Sequence, residues 1–467
     1  MIHRLLKKLT RLQFWPAVGI ASLALNALLI AGPALADREV TARQQDTLQR
    51  LLFYMQNLYV EPIQEETLLE GAIRGLLQSS GDPYTRYLNE DEFSEFLSME
   101  QGRRIGIGVE VSMEDGLPII IAPLPGGPAD RAGVMAGDRI VSIEGHETEG
   151  MEFGRMIQLI GGERNSVVRI EVGRTGVPDP IAFEITRDEF QLDYVHPFFF
   201  EEQKIGYIRL LHFFGEEGGS IERFRAALED FQRKQARGLI IDLRDNTGGH
   251  LQMASLLTGY FLKPGQVIVS ARGRIESMNT TFSADQDAGL VSETMPVVVL
   301  VNGGSASASE IMAGALQDHR RATLIGTRTF GKASVQRVIR PLPNDAAAMI
   351  TIQKYFTPLD RAIHGQGLTP DIVVSAIQPS GDDNFYLNKM SRAGFFTEFR
   401  RAHPNYSNGL VETFRRELTE RGYRLSDQVA LLVLKREYRL LRPETPDLET
   451  DPQLRRALLV LGRPSGQ

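Results

Sequence analysis

Two short runs, Gly238-Leu239-Ile240-Ile241-Asp242-Leu243 and Val297-Val298-Val299-Leu300-Val301, constrain this chain more than any other feature. They are almost continuously apolar, the pattern of strands buried on both faces in a parallel sheet. Around them strand and helix alternate from about Lys204 to Ala376. Ile205-Gly206-Tyr207-Ile208-Arg209-Leu210 reads as a strand, and Ser220 opens a helix with Phe224, Ala227, Leu228 and Phe231 on one face. The expectation is an α/β domain with a largely parallel sheet.

The rest of the chain is too long for that domain alone. At about 100–200 residues per domain, 467 residues predict three or four. With 42% hydrophobic and 24% charged residues, disorder, collagen-like repeats and a polytopic membrane protein are excluded. Acids outnumber bases 59 to 52, and four of the bases (Arg4, Lys7, Lys8, Arg11) lie in an acid-free N-terminus. The acidic body that remains is a poor partner for phosphate backbones, so no nucleic acid is expected. The absence of cysteine removes disulfides, thiolate metal sites and a cysteine nucleophile.

Those four charges precede an uncharged run from Leu12 to Ala36 that closes on Ala34-Leu35-Ala36, a small-x-small cleavage pattern. Residues 1–36 therefore read as a signal peptide. The run is also long enough to span a bilayer once as an uncleaved anchor. Either way the body is expected to be exported, in a periplasmic or other extracytoplasmic location, free or attached to the inner membrane.

Residues 37–100 read as helical, with Leu48, Leu51, Leu52, Met55 and Leu58, then Leu68, Leu69, Ile73, Leu76 and Leu77, at helical spacing. Ser79-Ser80-Gly81-Asp82-Pro83 breaks the pattern before a short helix through Phe93 and Phe96. Such a segment has too little core to stand alone. From Gly102 the pattern becomes short strands and glycine turns: Ile105-Gly106-Ile107-Gly108-Val109-Glu110-Val111 alternates as a strand, and Pro128-Ala129-Asp130-Arg131-Ala132-Gly133 reads as a short helix ending at glycine. The stretch from Gly127 to Gly145 resembles the signature of a PDZ domain, within a segment assigned here to 101–190. A PDZ domain takes the end of an extended peptide as an added strand. On that resemblance Ile105, Gly106, Ile107 and Gly108 are the peptide-binding candidates; alternatively, the glycines form an ordinary bulge.

Two glycine-rich corners end the apolar strands: Asp242-Leu243-Arg244-Asp245-Asn246-Thr247-Gly248-Gly249 and Asn302-Gly303-Gly304-Ser305-Ala306-Ser307-Ala308-Ser309-Glu310. Ligands bind at the carboxyl ends of such strands, so both corners are expected at one cleft. A serine at a strand-to-helix turn is exposed, and the amides of the helix N-terminus suit an oxyanion. The serine run also fits plain helix capping, with Glu310 completing a capping box. A third segment, Thr329-Phe330-Gly331-Lys332-Ala333-Ser334-Val335-Gln336, holds a lysine among small and apolar neighbours. Desolvation there lowers its pKa, and a neutral lysine can serve as base to a serine. Gln336 is placed to hold the amine.

Together these segments resemble the C-terminal processing peptidases, or tail-specific proteases. In that family the nucleophile is the central serine of a Ser-Ala-Ser-Ala-Ser-Glu run, the base is a lysine 25 residues on, and a glutamine follows four residues later; Ser307, Lys332 and Gln336 have this spacing. The likeness runs from Gly81-Asp82-Pro83-Tyr84 to Gly365-Gln366-Gly367-Leu368-Thr369-Pro370-Asp371, with Asp451-Pro452-Gln453-Leu454 near the end. Departures are Ala333, where glycine is common, and Asp245 and Thr247 in the first corner.

The resemblance implies a multidomain α+β fold: a crotonase-like α/β catalytic core (191–377), the inserted PDZ domain, and helical N- and C-terminal segments, the latter over 378–467 after a linker at Gln378-Pro379-Ser380-Gly381-Asp382-Asp383. It implies an exported serine endopeptidase that takes apolar C-terminal ends of unfolded or exposed protein substrates, with an oxyanion hole at Ala308 and Gly248 and no metal or other cofactor. A PDZ domain that moves over the cleft, and homo-oligomers of dimer size or larger built on the helical segments, belong to the same picture. A non-catalytic PDZ scaffold and a partner-activated protease are the competing classes. Gly326 to Lys332 fits the start of a phosphate loop, but Ala333 lacks the hydroxyl that would hold magnesium. The histidines are scattered without a zinc-hydrolase pattern, and His250 reads as a surface or core residue.

Overall fold

The computed structural model describes residues 38–462 except 101–102, 115–116, 125–126, 136, 152, 175–176, 178, 192–193, 215–218, 287, 341, 408 and 439–444. The leader expected over 1–36 lies outside the described residues. Among those described, no helix is long and apolar enough to cross a membrane. The chain divides into a unit ending at Gly81 and a unit from Asp82 onward.

In the first unit, α1 (Arg38–Leu58) and α2 (Glu65–Gln78) follow the apolar spacing. No residue of α2 is buried, and Leu51, Phe53, Leu58 and Leu76 are each more than half exposed. The stripes exist without a core to receive them, as the length of the segment predicts.

The second unit begins with β1 (Arg86–Leu88) and α3 (Glu90–Glu100). A small domain follows: β2 (Arg103–Gly106), β3 (Val109–Glu114), β4 (Leu117–Pro123), α4 (Pro128–Ala132), β5 (Arg139–Ile143), β6 (His146–Glu147), α5 (Phe153–Ile160), β7 (Val167–Gly173), β8 (Ile181–Thr186) and β9 (Asp188–Gln191). Its sheet has the order β3-β4-β5-β7-β8, with β6 on β5. Ile107, Ile120, Ile140, Met156, Val168 and Ile170 form its core. The strand expected over residues 105–111 is two strands. β2 pairs with β9, the chain turns at Ile107-Gly108, and β3 joins the main sheet. The reason is local: Ile107 inserts into the core, its carbonyl accepts from Ala129 N (2.8 Å), and Gly108 takes a positive φ of 70°. α4 ends at left-handed Gly133, as its sequence predicts.

The α/β core holds β10 (Val195–Phe200), β11 (Ile205–Leu210), α6 (Ser220–Arg233), β12 (Gly238–Asp242), α7 (Leu251–Gly259), β13 (Val267–Gly273), β14 (Thr280–Ser283), β15 (Val297–Val301), α8 (Ala308–Asp318), β16 (Thr323–Gly326), β17 (Ser334–Ile339), β18 (Ala347–Phe356) and β19 (Ile372–Val373). One sheet runs β10-β11-β12-β15-β16-β19; every pairing is parallel except β10 with β11. Leu239, Ile241, Val297, Val299 and Val301 face a core that includes Phe224, Ala254, Ile311 and Met312. The alternate residues Ile240, Val298 and Leu300 face Leu454 and Ala457. Both faces of these strands are therefore buried, which explains their unbroken apolar sequence. The second cover comes from a helix near the end of the chain, Pro452–Leu461.

A second, antiparallel sheet, β1-β18-β13-β14 with β17 on β18, was not foreseen. It draws β1 out of the region read as helical: Arg86, Tyr87 and Leu88 pair with Met349, Ala348 and Ala347. The tail comprises α9 (Gly381–Arg392), α10 (Phe395–Ala402), α11 (Leu410–Glu420), α12 (Asp427–Glu437) and α13 (Pro452–Leu461). The linker expected over residues 378–383 is in part a helix start. Ser380 caps α9 by accepting from Asp383 N, and Asp383 returns the bond to Ser380 N.

Candidate active site

β15 ends in the turn Asn302–Ala306, and Ser307 begins α8. The three serines of the run separate by what their hydroxyls do. Ser305 Oγ donates to Leu243 O (2.7 Å) and Ser309 Oγ to Asn246 O (2.8 Å), both buried. The Ser307 hydroxyl, half-buried, donates to no carbonyl among the described residues. Its backbone is also unlike that of a plain cap, which is extended. At φ 56° and ψ −117° it is strained, at a cost of order 1–3 kcal/mol. A serine that only capped the helix would not need that conformation. The expected capping box is present: Glu310 accepts from Ser307 N (3.0 Å), and the Ser307 side chain accepts from Glu310 N.

The Asp242–Gly249 corner is stitched to this turn, as the one-cleft expectation requires. Ala306 N donates to Asn246 O (3.0 Å), and Asp245 N and Asn302 Nδ2 cross between the two segments. Beneath it Arg244, buried, binds Asp242, Asp451 and Gln453. Burial alone would push the Asp242 carboxyl up; the Arg244 charge and hydrogen bonds outweigh it and hold the group below the usual carboxylate range. Gly248 needs to be glycine. Its φ is 108°, and a Cβ there would lie 2.8 Å from Ser307 Cβ and 2.9 Å from Ala308 N. The Ala308 amide has no acceptor among the described residues. That of Gly248 donates to Asn246 Oδ1 (2.9 Å).

Lys332 lies on the loop between β16 and β17. Two groups bind this loop to Ser307. Glu310, fully buried, accepts from Ser307 N (3.0 Å) and Lys332 N (2.8 Å) on one oxygen, and from Gly331 N (2.8 Å) and Thr329 Oγ1 (2.6 Å) on the other. Burial raises its pKa, against the pull of those four donors. The Tyr355 hydroxyl shares its one proton between Ser307 O (2.8 Å) and Lys332 O (2.5 Å). Burial, Glu310 and Tyr84 hold its pKa well above the ordinary tyrosine value, so it remains a donor. The loop's amides thus face a carboxylate of the chain itself, which excludes a phosphate cradle.

The Lys332 amine is half-buried, 4.5 Å from the centre of the Tyr84 ring, and makes no hydrogen bond to Ser307 among the described residues. Burial, then the Arg86 charge, lower its pKa; Asp82 works in the opposite direction. Gln336 makes no hydrogen bond to the amine among the described residues. Its Nε2 donates to Ser334 Oγ (2.8 Å) and Thr351 Oγ1 (3.1 Å). In the small domain Ile105 is exposed, while Gly106, Ile107 and Gly108 are buried. His250 precedes α7 with its ring 5.2 Å from that of Phe214. Sequence reading missed Tyr355 and Thr351, and it took Glu310 for a cap alone. Tyr84 stood in a quoted motif without a role.

Residues 204–374 match the family model for peptidase family S41, residues 119–174 that for a PDZ domain, and residues 36–92 that described as the activating protease CtpB N-terminal domain. The chain is 37% identical over 370 residues to a carboxy-terminal-processing protease of Bartonella bacilliformis, covering 77% of this chain and 82% of that one. It is 33% identical over 350 residues to the carboxy-terminal processing protease CtpB of Bacillus subtilis, with 74% and 70% covered. A carboxyl-terminal-processing protease of Synechocystis sp. is 32% identical over 390 residues, with 78% and 87% covered. With its PDZ domain set into a crotonase-like α/β core, this chain belongs to the carboxy-terminal processing proteases of peptidase family S41 and is a serine endopeptidase.

Proposed function

We propose that Ser307 is the nucleophile and Lys332 the general base of this endopeptidase, with Gln336 as the third member. One observation carries the reading: a single buried carboxylate, Glu310, accepts the amides of both Ser307 and Lys332. The neutral Lys332 amine takes the hydroxyl proton as Ser307 Oγ attacks the scissile carbonyl. The ammonium then returns that proton to the departing amine as the C–N bond breaks, leaving an acyl-enzyme. Lys332 next takes a proton from water, whose oxygen attacks the ester carbonyl; the proton returns to Ser307 as the acid leaves. The Ala308 amide binds the oxyanion, joined by Gly248 once its amide releases Asn246.

Substrate choice follows from the PDZ domain. An apolar C-terminal end adds as a strand near Ile105, Gly106, Ile107 and Gly108, and cleavage occurs close to that end or proceeds inward. Residues 1–36 direct export to a periplasmic or other extracytoplasmic site, where they are removed or retained as an inner-membrane anchor. The exposed apolar stripes of α1 and α2 suit assembly into a dimer or larger homo-oligomer.

The test is cleavage of an unfolded protein with an apolar C-terminus by the full chain. Ser307→Ala and Lys332→Ala are each expected to fold and to lose turnover, while Ser305→Ala and Ser309→Ala keep it. The same substrate with a charged terminus should resist. Normal cleavage by either of the first two variants would refute the assignment.

A further inference from the structure

The turn Asp82–Arg86 comes from far outside the three motifs that hold the nucleophile and base, yet it supplies the surface on which the base rests. The Tyr84 ring centre is 4.5 Å from Lys332 Nζ. The turn is tightly held. Asp82 Oδ1 accepts from Tyr84 N (3.1 Å), Asp82 Oδ2 from Thr85 Oγ1 (2.7 Å), and Asp82 O from Thr85 N (3.2 Å). Thr85 Oγ1 in turn accepts from Thr351 N (3.1 Å), and β1 continues the turn along β18.

Gln336 enters here. Its Nε2 donates to Thr351 Oγ1 (3.1 Å), Thr351 N donates to Thr85 Oγ1 (3.1 Å), and that hydroxyl donates to the Asp82 carboxylate (2.7 Å). A series of polar contacts therefore links Gln336 through Thr351, Thr85 and Asp82 to the backbone of Tyr84. We infer that Tyr84 is a positioning residue for the Lys332 amine, on a turn that Gln336 braces through Thr351. The inference rests on the assignment of Lys332 as base.

Two physical effects follow from the ring. It covers one side of the amine, keeping water from it, and it limits the swing of a flexible four-methylene stem. Its face also attracts an ammonium, by about 0.5–1 kcal/mol where exposed and more where dry. The other titratable groups around Lys332 are Asp82 and Arg86 on the same turn, Glu310 at its own amide, and His364, whose Nδ1 accepts from Ala333 N (3.2 Å). Substitution of Tyr84 leaves all of these in place.

The two effects have opposite signs, so two variants of the full chain separate them. Tyr84→Ala admits water, favours the ammonium, and should move the acid limb of kcat/KM up by about one pH unit, with kcat at neutral pH down about tenfold and KM unchanged. Tyr84→Leu keeps the site dry but removes the π face, and should move the limb down by up to about one unit. Tyr84→Phe should match wild type. For the polar chain, Gln336→Ala and Thr351→Val should each lower kcat, and together no further than either alone. A merely structural role would lower melting temperature without moving the limb in opposite directions. An unshifted limb in both Ala and Leu variants, while Ser307→Ala stays inactive, would overturn this inference alone. Full activity in Ser307→Ala and Lys332→Ala would overturn the reading beneath it.

Discussion

Glu310→Gln is the sharpest perturbation of the junction between the proposed nucleophile and base, because it preserves shape while changing one acceptor into a donor. All four partners of the carboxylate are donors. If the new NH2 replaces the oxygen facing Ser307 and Lys332, two backbone N–H groups are stranded. If it replaces the other, Thr329 can rotate its hydroxyl but Gly331 N–H cannot turn away. The second arrangement is cheaper, and it leaves one buried N–H unpaired, at about 1–3 kcal/mol. The bonds to Ser307 and Lys332 survive but lose their charge assistance, about 1 kcal/mol each. Removing a buried charge, whose desolvation already raises the pKa of Glu310, offsets part of this. A net loss of about 2–4 kcal/mol remains, or on the order of 5–10 °C in Tm by calorimetry. Small displacements at reacting groups are costly, so kcat/KM on an unfolded substrate should fall by about 100-fold. A variant with wild-type Tm and kcat/KM would refute the reasoning. A lower Tm with unchanged kcat would show that Glu310 holds the fold without aligning the pair.

Two further perturbations test the corner that faces Ser307. Gly248→Ala places a methyl 2.9 Å from Ala308 N on a backbone at φ 108°; kcat should fall by about 10²–10³-fold, with KM nearly unchanged, in steady-state assays. Arg244→Met leaves the fully buried Asp242, among the described residues, with the backbone N–H of residue 244, the more distant Arg209 and the Tyr207 hydroxyl, and should cost about 3–5 kcal/mol in urea unfolding at pH 7. The sign with pH is definite. In the wild type the Asp242 carboxyl is held below its ordinary value, so its contribution is present at neutral pH and is lost as pH falls through that lowered value. Without Arg244 burial raises the carboxyl, which protonates earlier on acidification, so the deficit should shrink as the pH drops. A deficit that grows with acid would contradict the arrangement.

The amino-acid order by itself determined several of the elements and where the candidate residues stand along the chain. Apolar runs at 238–243 and 297–301 could only be strands covered on both faces, and β12 and β15 are fully buried. Gly133 ended its helix, and the serine and lysine stood at readable spacing. These features are local: side-chain period and turn residues act within a few positions, so they survive in the one-dimensional pattern.

What only the tertiary structure decided is which of several equivalent hydroxyls, among the described residues, was left with no carbonyl to donate to, and what gathered around it. Ser305, Ser307 and Ser309 look alike in the chain, and distant carbonyls at Leu243 and Asn246 claim two of them. The placement of α13 on the strand face, of β1 beside β18, and of Tyr84 against Lys332 depends on backbone hydrogen bonds and packing between remote segments. Every residue carries the same backbone donor and acceptor, so such pairings leave no residue signature to read in advance.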